Sequence, residues 1–300
     1  MDNDQVNIYV EKDEDVTYTY NTIGPTFESR TKKAWIELVQ TKEFGNCLYM
    51  DGQLQLASAD EYIYHEMLVH PTLSFAESRK NVCIIGGGDS CAAREIMKWS
   101  DVDKIVCIDW DEEFVDLVKQ GFLGVSSKRC ANDKTIYFEH VDIQSILDEK
   151  RQYDIILLDL VDPKYTKKED VLFWNNLLKK LSNWLAPKGI LTMNGGGFTQ
   201  QDSSVQEWLV RACLFEMGSL KKHELLLYKI FVPSFRREWC FFMIRPIDTL
   251  ESDRIDLVEQ NKISTRYFNE AAWLLSKTWT KDYMGILPSG PQNLSRYSRV

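Results

Sequence analysis

A run of three glycines between an apolar segment and a helical segment constrains this chain more than any other feature. The stretch NVCIIGGGDSCAAREIMKWSDVDKIVCIDWDEEF begins at Asn81 and ends at Phe114. An apolar strand, a glycine turn, a helix and a second strand ending in a carboxylate form the half of an α/β sheet that binds a nucleoside. Asp109 stands 21 residues after Gly88, close to the spacing at which such an acid binds both hydroxyls of a ribose. The stretch therefore predicts a nucleoside-containing ligand with Asp109 on its ribose.

The glycine turn also indicates which kind of nucleoside ligand fits. The nicotinamide dinucleotide turn, G-x-G-x-x-G, requires glycine at position 91, where this chain has Cys91. Asp89 would also place a negative charge beside an incoming pyrophosphate. A donor without phosphates, such as an adenosyl sulfonium, meets neither obstacle, and its adenine edge could contact Asp142. Asp89 would then bind an amine, which favours a donor that carries an amine but no carboxylate.

Strand and helix patterns along the rest of the chain predict the architecture. Apolar strand segments recur after residue 81, with helical segments over 92–99 and 111–121 between them, and this indicates a parallel sheet covered by helices on both faces. The five segments are NVCIIG, KIVCID, TIYFEHVD, YDIILLD and GILTMNG. Two later segments, YKIFVPSF and WCFFMIRP, could add an antiparallel pair at one edge. The fold class is therefore α/β, with a Rossmann-like parallel-sheet domain of the methyltransferase type.

The N-terminal region has a different pattern. Apolar and polar residues alternate, and turn signals at Phe44-Gly45-Asn46 and Asp51-Gly52 predict short strands in a small antiparallel sheet. The segment ADEYIYHEMLVHPTLS has helical spacing, and we expect its helix to stop at Pro71. These patterns predict an N-terminal β-strand domain over 1–75, a catalytic domain over 76–285 and a flexible tail over 286–300.

Acidic residues stand at the predicted carboxyl ends of the strands, where such sheets bind ligands. Asp89 follows the first strand, Asp109 the second and Asp142 the third, and Asp159 and Asp162 follow the fourth. The last two are three residues apart in LLDLVDPKY, in a turn that a proline stops. Two carboxylates in a dry cleft can bind cationic amines, and one of them can accept a proton from an attacking nitrogen. The pattern therefore predicts an amine substrate beside the nucleoside.

Charge and cysteine content exclude several classes of protein. The net charge of −9 argues against a nucleic-acid partner, whose binders usually carry a basic face, and is compatible with a cationic substrate. No apolar run approaches the roughly 20 residues of a membrane span, and the acidic start does not resemble a signal peptide. We therefore expect a cytoplasmic protein without a membrane partner. Seven cysteines without C-x-x-C spacing, and only four histidines, predict buried reduced thiols and no metal site.

Four separated motifs carry a likeness to a known enzyme family. They are FGNCLYMDGQLQLASADEYIYHEMLVHP, IIGGGDSCAARE, CIDWDEE and LLDLVDP. They resemble those of the polyamine aminopropyltransferases, the spermidine synthase family, and the likeness extends from about residue 25 to 280. Within the family, the motifs DEYIYHEMLVHP, CIDWD, DLVDP and VPSFRREWCFFM resemble the thermospermine synthase branch most closely.

The resemblance implies transfer of an aminopropyl group from decarboxylated S-adenosylmethionine to a polyamine nitrogen, with spermidine as the favoured acceptor and methylthioadenosine as the second product. The donor is a co-substrate, and no other cofactor is implied. The family also assembles through its N-terminal regions, so the resemblance implies a homodimer or homotetramer.

The resemblance further implies a role for each matching residue. Asp159 would be the general base and, with Asp162, would flank the acceptor amine. Tyr64 would contact the reacting amine. Phe235 stands where putrescine-specific relatives have a tyrosine, which is consistent with a longer acceptor. The donor would be held by His65, Asp89, Asp109 and Asp142, with the backbone of Ile143 near the adenine.

The chain departs from the family pattern at several places. Ser90 and Cys91 replace the last two glycines of the usual GGGDGG, Ala34 replaces a usual glutamine, and a glycine-proline pair is missing after the DLVDP motif. Asn194 and the glycines of MNGGGFT stand where spermidine synthases have an acid. Trp110 could pack on the adenine or in the core. Three alternatives therefore stay open: a spermidine synthase acting on putrescine, a methyltransferase that uses S-adenosylmethionine itself, and a catalytically weak homologue that regulates an active partner.

Overall fold

The architecture of the protein is given by a computed structural model. It describes residues 7–13, 16–199, 202–247, 257–279 and 292–293. Most of the predicted C-terminal tail over 286–300 lies outside these residues. Among the helices in the described ranges, none combines the length and the apolar composition needed to cross a membrane.

Short antiparallel strands form the N-terminal part, as the alternating sequence predicts, but they make two small sheets where one was expected. Their strands are β1 (Ile8–Asp13), β2 (Val16–Asn21), β3 (Phe27–Arg30), β4 (Trp35–Thr41), β5 (Gly45–Met50) and β6 (Gln53–Ala57). Strands β1 and β2 pair as a hairpin, and β3 to β6 form a second sheet in chain order. The turn between β5 and β6 has positive φ at both Asp51 and Gly52, which confirms the tight-hairpin signal at this dipeptide.

A mostly parallel sheet forms the centre of the rest of the protein. Its strands are β7 (Asn81–Gly86), β8 (Lys104–Ile108), β9 (Ile136–Glu139), β10 (Tyr153–Asp159), β11 (Leu185–Phe198), β12 (His223–Val232), β13 (Arg237–Pro246) and β14 (Gln292–Asn293). Their order across the sheet is β14, β12, β13, β11, β10, β7, β8, β9. The strands from β11 to β9 are parallel and β12 and β13 are antiparallel, which confirms both predictions. The short β14, which the sequence does not predict, pairs with β12 inside the expected tail.

Helices pack against both faces of this sheet. They are α1 (Glu61–Phe75), α2 (Cys91–Ile96), α3 (Glu112–Gln120), α4 (Val125–Ala131), α5 (Ile143–Ile146), α6 (Lys168–Trp184), α7 (Ser204–Glu216), α8 (Leu257–Gln260) and α9 (Glu270–Ser276). Alternate residues of the central strands enter two separate cores, so that Cys83 and Ile85 pack with α6 and α7, whereas Val82 and Ile84 pack with α1 and α2. Burial on both faces explains why the strands are almost continuously apolar.

Helix α1 continues through Pro71, so the prediction that it stops there is wrong. A proline inside a helix removes the N–H that would bond to the carbonyl four residues earlier, here that of Met67. The Tyr228 hydroxyl, on β12, donates a hydrogen bond of 2.8 Å to that carbonyl. The side chain of another element therefore satisfies the group that the proline leaves unpaired, and burial of nearly the whole helix stabilises its continuation.

Helix α1 is also anchored at its middle. The carboxylate of Glu66 is fully buried and accepts three hydrogen bonds of 2.8 to 2.9 Å from the backbone N–H groups of residues 266–268. Although the predicted domain boundary assigns α1 to the N-terminal part, the helix contacts α2, β11 and β12. Helix α1 is therefore packed against the catalytic sheet and against α2.

The N-terminal sheet docks onto the glycine-turn region. Cys91 at the start of α2 packs with Ile36 and Leu48 of the small sheet, and Ala34 lies against the same cluster. The Thr31 hydroxyl donates a hydrogen bond of 2.6 Å to the carboxylate of Asp111. Two of the departures from the family pattern, at positions 91 and 34, thus contribute apolar contacts between the small sheet and the catalytic part. All seven cysteines are buried free thiols, as predicted.

Candidate active site

The glycine turn allows two strand ends to approach each other closely. A Cβ atom on Gly86 would lie 2.1 Å from the backbone oxygen of Asp159, and one on Gly88 would lie 2.6 Å from Oδ2 of Asp109. Gly86 also has a φ of +88°. Any larger residue would displace these neighbours, so glycine is required at both positions. The turn therefore places the carboxyl ends of β8 and β10 directly beside the end of β7.

Asp109 is a partly buried and oriented carboxylate. Its Oδ2 accepts a hydrogen bond of 3.0 Å from the backbone N–H of Gly88, and its Oδ1 accepts one of 2.9 Å from that of Asp111. Burial raises the pKa of Asp109, and the two backbone hydrogen bonds act in the opposite direction because they favour the charged form. A carboxylate held in this way is suited to accept hydrogen bonds from neighbouring hydroxyl groups.

Asp159, at the end of β10, is paired with a tyrosine. It accepts a hydrogen bond of 2.8 Å from the hydroxyl of Tyr64 on α1. Burial raises the pKa of Asp159 to about 6, although the charge of His65 opposes the rise. Burial and the neighbouring carboxylates hold the pKa of Tyr64 well above its usual range, so the phenol stays neutral. A carboxylate with a pKa near neutrality is suited to accept a proton.

His65 is a cation among three carboxylates. Its Nδ1 lies 2.9 Å from Oε2 of Glu61, and its Nε2 lies 3.9 Å from a carboxylate oxygen of both Asp89 and Asp159. Burial by itself lowers the pKa of His65, but the hydrogen bond with Glu61 and the nearby negative charges raise it to about 9. The imidazolium therefore offsets the repulsion between Asp89 and Asp159.

Asp89 and Asp142 both accept a backbone hydrogen bond at the start of a helix. Oδ1 of Asp89 accepts one of 2.7 Å from Cys91, and Oδ1 of Asp142 accepts one of 2.9 Å from Gln144. Asp142 is exposed, whereas the next residue, Ile143, is buried. Asp89, Asp109 and Asp159 thus form one cluster in which the charge of Asp89 acts on the other two acids, whereas Asp142 is exposed beyond the end of β9.

A second polar group surrounds Asp162. The Nδ2 of Asn194 donates hydrogen bonds of 3.1 Å to Oδ1 of Asp162 and to the carbonyl of Leu160. The Oδ1 of Asn194 accepts hydrogen bonds of 2.7 Å from the indole N–H of Trp239 and the backbone N–H of Gly196. Asp162 is therefore held by a residue of the neighbouring strand β11.

Three aromatic rings lie beside the two carboxylates. The ring centroid of Phe235 lies 4.6 Å from that of Trp239 and 6.4 Å from that of Tyr64, and Tyr64 and Trp239 are also 6.4 Å apart. Tyr64 bonds to Asp159, and Trp239 is linked through Asn194 to the carboxylate of the D-x-x-D turn. The rings therefore form an apolar wall that connects one carboxylate with the other, an arrangement complementary to a methylene chain that carries amines.

Sequence reasoning named Asn194 only as a departure from the family pattern, and it did not identify Glu61 or Trp239 as parts of this site. Glu61 stands four residues before His65 on a predicted helix, and this spacing is a signal that could have revealed their contact. Trp239 and Asn194 are 45 residues apart and meet through the pairing of β13 with β11, which no local pattern indicates.

Two groups of potential metal ligands occur in the cluster. They are Glu61, His65 and Cys91, and His65, Asp89 and Asp159, with ligand atoms within 4.8 Å of one another in each group. Arg94 donates a hydrogen bond of 2.9 Å to Glu61, and burial keeps the pKa of the Cys91 thiol well above its usual range. These groups are therefore already paired through protons and opposite charges.

Comparison with known proteins decides the family to which this site belongs. A sequence model described as the spermine/spermidine synthase domain matches residues 61–252. The chain belongs to the spermine/spermidine synthase family. It is 31% identical over 284 residues to a thermospermine synthase of Arabidopsis thaliana, and the aligned region covers 90% of this chain and 79% of that protein. It is also 31% identical over 261 residues to a polyamine aminopropyltransferase of Saccharolobus islandicus, which covers 85% of this chain and 84% of that protein.

Solved structures confirm the fold. The spermidine synthase from Thermotoga maritima has a TM-score of 0.78 at 17% identity and covers 94% of this chain and 95% of its own. A spermidine synthase in complex with the transition-state analogue AdoDATO has a TM-score of 0.78 at 19% identity, with coverages of 94% and 96%. The predicted Rossmann-like α/β fold with small N-terminal antiparallel sheets is thus confirmed. As a member of the spermine/spermidine synthase family, the protein is an enzyme of the aminopropyltransferase type, as predicted.

One further departure from the family pattern, Ser90, and the two alternatives for Trp110 can be compared with the structure. Ser90 has a φ of +65°, is fully buried, and its Oγ has no hydrogen-bond partner among the residues that the structure describes. The side chain of Trp110 is 56% exposed, with Nζ of Lys33 4.5 Å from its ring centroid. Core packing of Trp110, one of the two alternatives for this residue, is therefore wrong.

Proposed function

We propose that this aminopropyltransferase uses decarboxylated S-adenosylmethionine as donor and spermidine as acceptor, and that it forms thermospermine or spermine together with methylthioadenosine. The observation that carries the proposal is the apolar wall of Tyr64, Phe235 and Trp239 with a carboxylate, Asp159 or Asp162, at each end. The wall suits the methylene groups of a polyamine and the carboxylates suit its nitrogens. The likeness to a thermospermine synthase supports the longer acceptor.

In this proposal, the acids at the ends of β7 and β8 bind the donor. Asp109 accepts hydrogen bonds from the ribose hydroxyls, because its carboxylate is oriented by two backbone N–H groups. Asp89 binds the ammonium of the aminopropyl group and, being negative, repels the carboxylate of undecarboxylated S-adenosylmethionine. Asp142 and the backbone of Ile143 are assigned to the adenine edge, which the exposed position of Asp142 leaves open to a ligand.

The reaction is a displacement at carbon. The lone pair of the acceptor nitrogen attacks the aminopropyl methylene carbon bonded to the sulfonium and forms a new carbon–nitrogen bond. The bond between that carbon and sulfur breaks, and its electron pair stays on sulfur as methylthioadenosine leaves. The nitrogen loses one proton, which Asp159 accepts, directly or through a water. Because the sulfonium is already an activated leaving group, the protein contributes mainly alignment and a deprotonated nitrogen. His65 and Tyr64 hold Asp159 in place for this step.

Product analysis tests the proposal against its alternatives. The pure protein is incubated with decarboxylated S-adenosylmethionine and, separately, putrescine, spermidine or longer amines, while methylthioadenosine is measured and the polyamines are separated by chromatography. We expect the highest kcat/KM with spermidine. A higher value with putrescine would indicate a spermidine synthase. Methylation by S-adenosylmethionine would indicate a methyltransferase, and donor binding without turnover of any amine would indicate a regulatory homologue.

A substitution at the proposed base completes the test. Asp159→Asn should reduce kcat by about 10²- to 10⁴-fold, since it removes the proton acceptor. Asp154→Asn is the matched control, because Asp154 lies on the same strand at its opposite end and accepts a hydrogen bond from the backbone of Asn81. A loss of similar size in both variants would contradict the assignment. The homo-oligomeric state and the cytoplasmic location stay predictions.

A further inference from the structure

The side-chain amide of Asn194 has only one possible orientation. Two of its neighbours, the indole N–H of Trp239 and the backbone N–H of Gly196, are donors and can face only its oxygen. The other two, the carbonyl of Leu160 and the carboxylate of Asp162, are acceptors and can face only its nitrogen. Asn194 is 5% exposed, so these four hydrogen bonds determine its environment.

A bulge in β11 presents Asn194 to Asp162. Opposite β13, the pairing shifts between Asn194 and Gly197. A Cβ atom on Gly195 or Gly197 would lie 2.4 Å from a side-chain atom of β13, whereas one on Gly196, which has a φ of +78°, would meet nothing closer than 3.7 Å. The amide of Gln206 donates hydrogen bonds to the carbonyls of Gly195 and Gly197, at 2.7 and 3.3 Å. The bulge is thus fixed by close packing and by α7.

We propose that Asn194 is a positioning residue for the acceptor: its neutral amide fixes the Asp162 carboxylate where that carboxylate binds the ammonium remote from the reacting nitrogen. The inference rests on the proposed function, which assigns Asp162 to the acceptor. Both acceptor carboxylates are then held in the same way, because each accepts a hydrogen bond from an uncharged donor. Asp159 accepts one from Tyr64, and Asp162 accepts one from Asn194.

Although the resemblance places an acid of the spermidine synthases in the MNGGGFT segment, the Leu160 carbonyl and the Asp162 carboxylate of this chain require an amide at position 194. An isosteric acid could not donate to the Leu160 carbonyl, and it would place a second carboxylate about 3 Å from Asp162, a distance at which two carboxylates hold one proton between them at low pH and repel each other at high pH. Within the described residues, charged groups on the surrounding elements include Lys164 and Lys167 in the turn after Asp162, Asp159 at the end of β10, Arg237 at the start of β13, the Lys229–Glu238 ion pair on the β12–β13 hairpin, and Glu207 on α7.

Asn194→Asp therefore tests the inference through a pH profile. At pH 8.5 we expect KM for the amine to rise about tenfold or more, while kcat and KM for the donor stay within about twofold of wild type. The ratio of the variant's amine KM to that of wild type should fall towards pH 6.5, as the shared proton restores one hydrogen bond. Asn132→Asp is the matched control, because Asn132 also donates two hydrogen bonds from its side-chain amide, here to two backbone carbonyls, but precedes the edge strand β9, whereas Asn194 lies on the interior strand β11. An amine KM unchanged in Asn194→Asp, or equally raised in both variants, would overturn the inference.

Two further measurements keep the inference separate from the proposed function. The melting temperature of Asn194→Asp should fall further below that of wild type at pH 8.5 than at pH 5.5, whichever amine the enzyme uses, and a pH-independent difference would refute the carboxylate contact. Trp239→Phe keeps an aromatic ring but removes a donor to Asn194, and it should raise the amine KM by a smaller factor without changing the donor KM. The pH-dependent melting difference of Asn194→Asp and the raised amine KM of Trp239→Phe are the two expected effects. If both are observed but the wild-type enzyme prefers another amine, only the choice of spermidine is overturned. Both effects absent in an enzyme that uses spermidine would overturn only the role of Asn194.

Discussion

Replacing Tyr64 by phenylalanine should move the acid limb of the pH–rate profile to higher pH. The substitution removes a hydroxyl that donates to Asp159 at 2.8 Å, and it leaves the ring in contact with Phe235 and Trp239. This hydrogen bond favours the charged carboxylate, so its loss raises the pKa of Asp159 above its present value of about 6. A hydrogen bond to a charged group contributes about 1.5–3 kcal/mol, and about 1.4 kcal/mol corresponds to one pKa unit. The limb should therefore move up by about one to two pH units.

The assay is kcat at saturating donor and amine, measured from pH 5 to 9. In the proposed mechanism Asp159 is active as the ionised base, so a higher pKa means that activity is lost at a higher pH as the solution is acidified. Tyr228→Phe is the matched control, since Tyr228 is also buried but donates, at 2.8 Å, to the uncharged carbonyl of Met67. Its acid limb should coincide with that of wild type. Coincidence of the limbs of Tyr64→Phe and wild type would refute the reasoning, because Asp159 would then not be the group that titrates.

Three more predictions concern the residues around the glycine turn. Ser90→Gly should increase the free energy of unfolding by about 1 kcal/mol, measured by chemical denaturation, because it removes a left-handed serine and an unpaired buried hydroxyl; Ser90→Ala keeps the backbone strain and should gain less, and the reverse order would contradict this. Asp89→Asn should narrow the difference in kcat/KM between decarboxylated and undecarboxylated donor, and an unchanged ratio would argue against an ammonium contact. The pKa of His65 is raised from 6.5 to about 9, so its contribution to stability is complete below pH 6.5 and is lost as the pH rises through 9. The difference in melting temperature between wild type and His65→Gln should shrink over this range, and a constant difference would show that the histidine does not titrate there.

Much of the fold follows from local sequence patterns. The segments that became β7 to β11 are apolar on both faces, and the order strand, helix, strand leaves few arrangements other than a parallel sheet. Because parallel strands end at the same edge, the positions of Asp89, Asp109 and Asp159 follow from the same pattern. The course of α1 could not be predicted, since its continuation past Pro71 depends on a hydroxyl from a strand more than 150 residues later.

The acceptor end of the site is harder to predict for a related reason. Asn194 meets Trp239 only because β11 carries a bulge where it pairs with β13, and the sequence NGGG is compatible with a turn, a bulge or an extended strand. The contact of the exposed Trp110 ring with Lys33, in the β3–β4 turn, likewise joins segments far apart in the chain. Patterns within one segment indicate which residues reach the site, whereas contacts between distant segments decide which neighbours hold them.

The near-contact between Gly86 and the backbone oxygen of Asp159 has a consequence for anyone who wishes to redesign this enzyme. Main-chain atoms of two adjacent strands set the separation between the glycine turn, the proposed donor site, and Asp159, the proposed base, and no side chain stands between them to be exchanged. Substitution of side chains can therefore change the charges at the glycine turn and at the end of β10, but not the distance between these two main-chain segments. New acceptors should be sought by altering the β11 bulge and the aromatic wall, while the geometry between donor and base stays a constant of the scaffold.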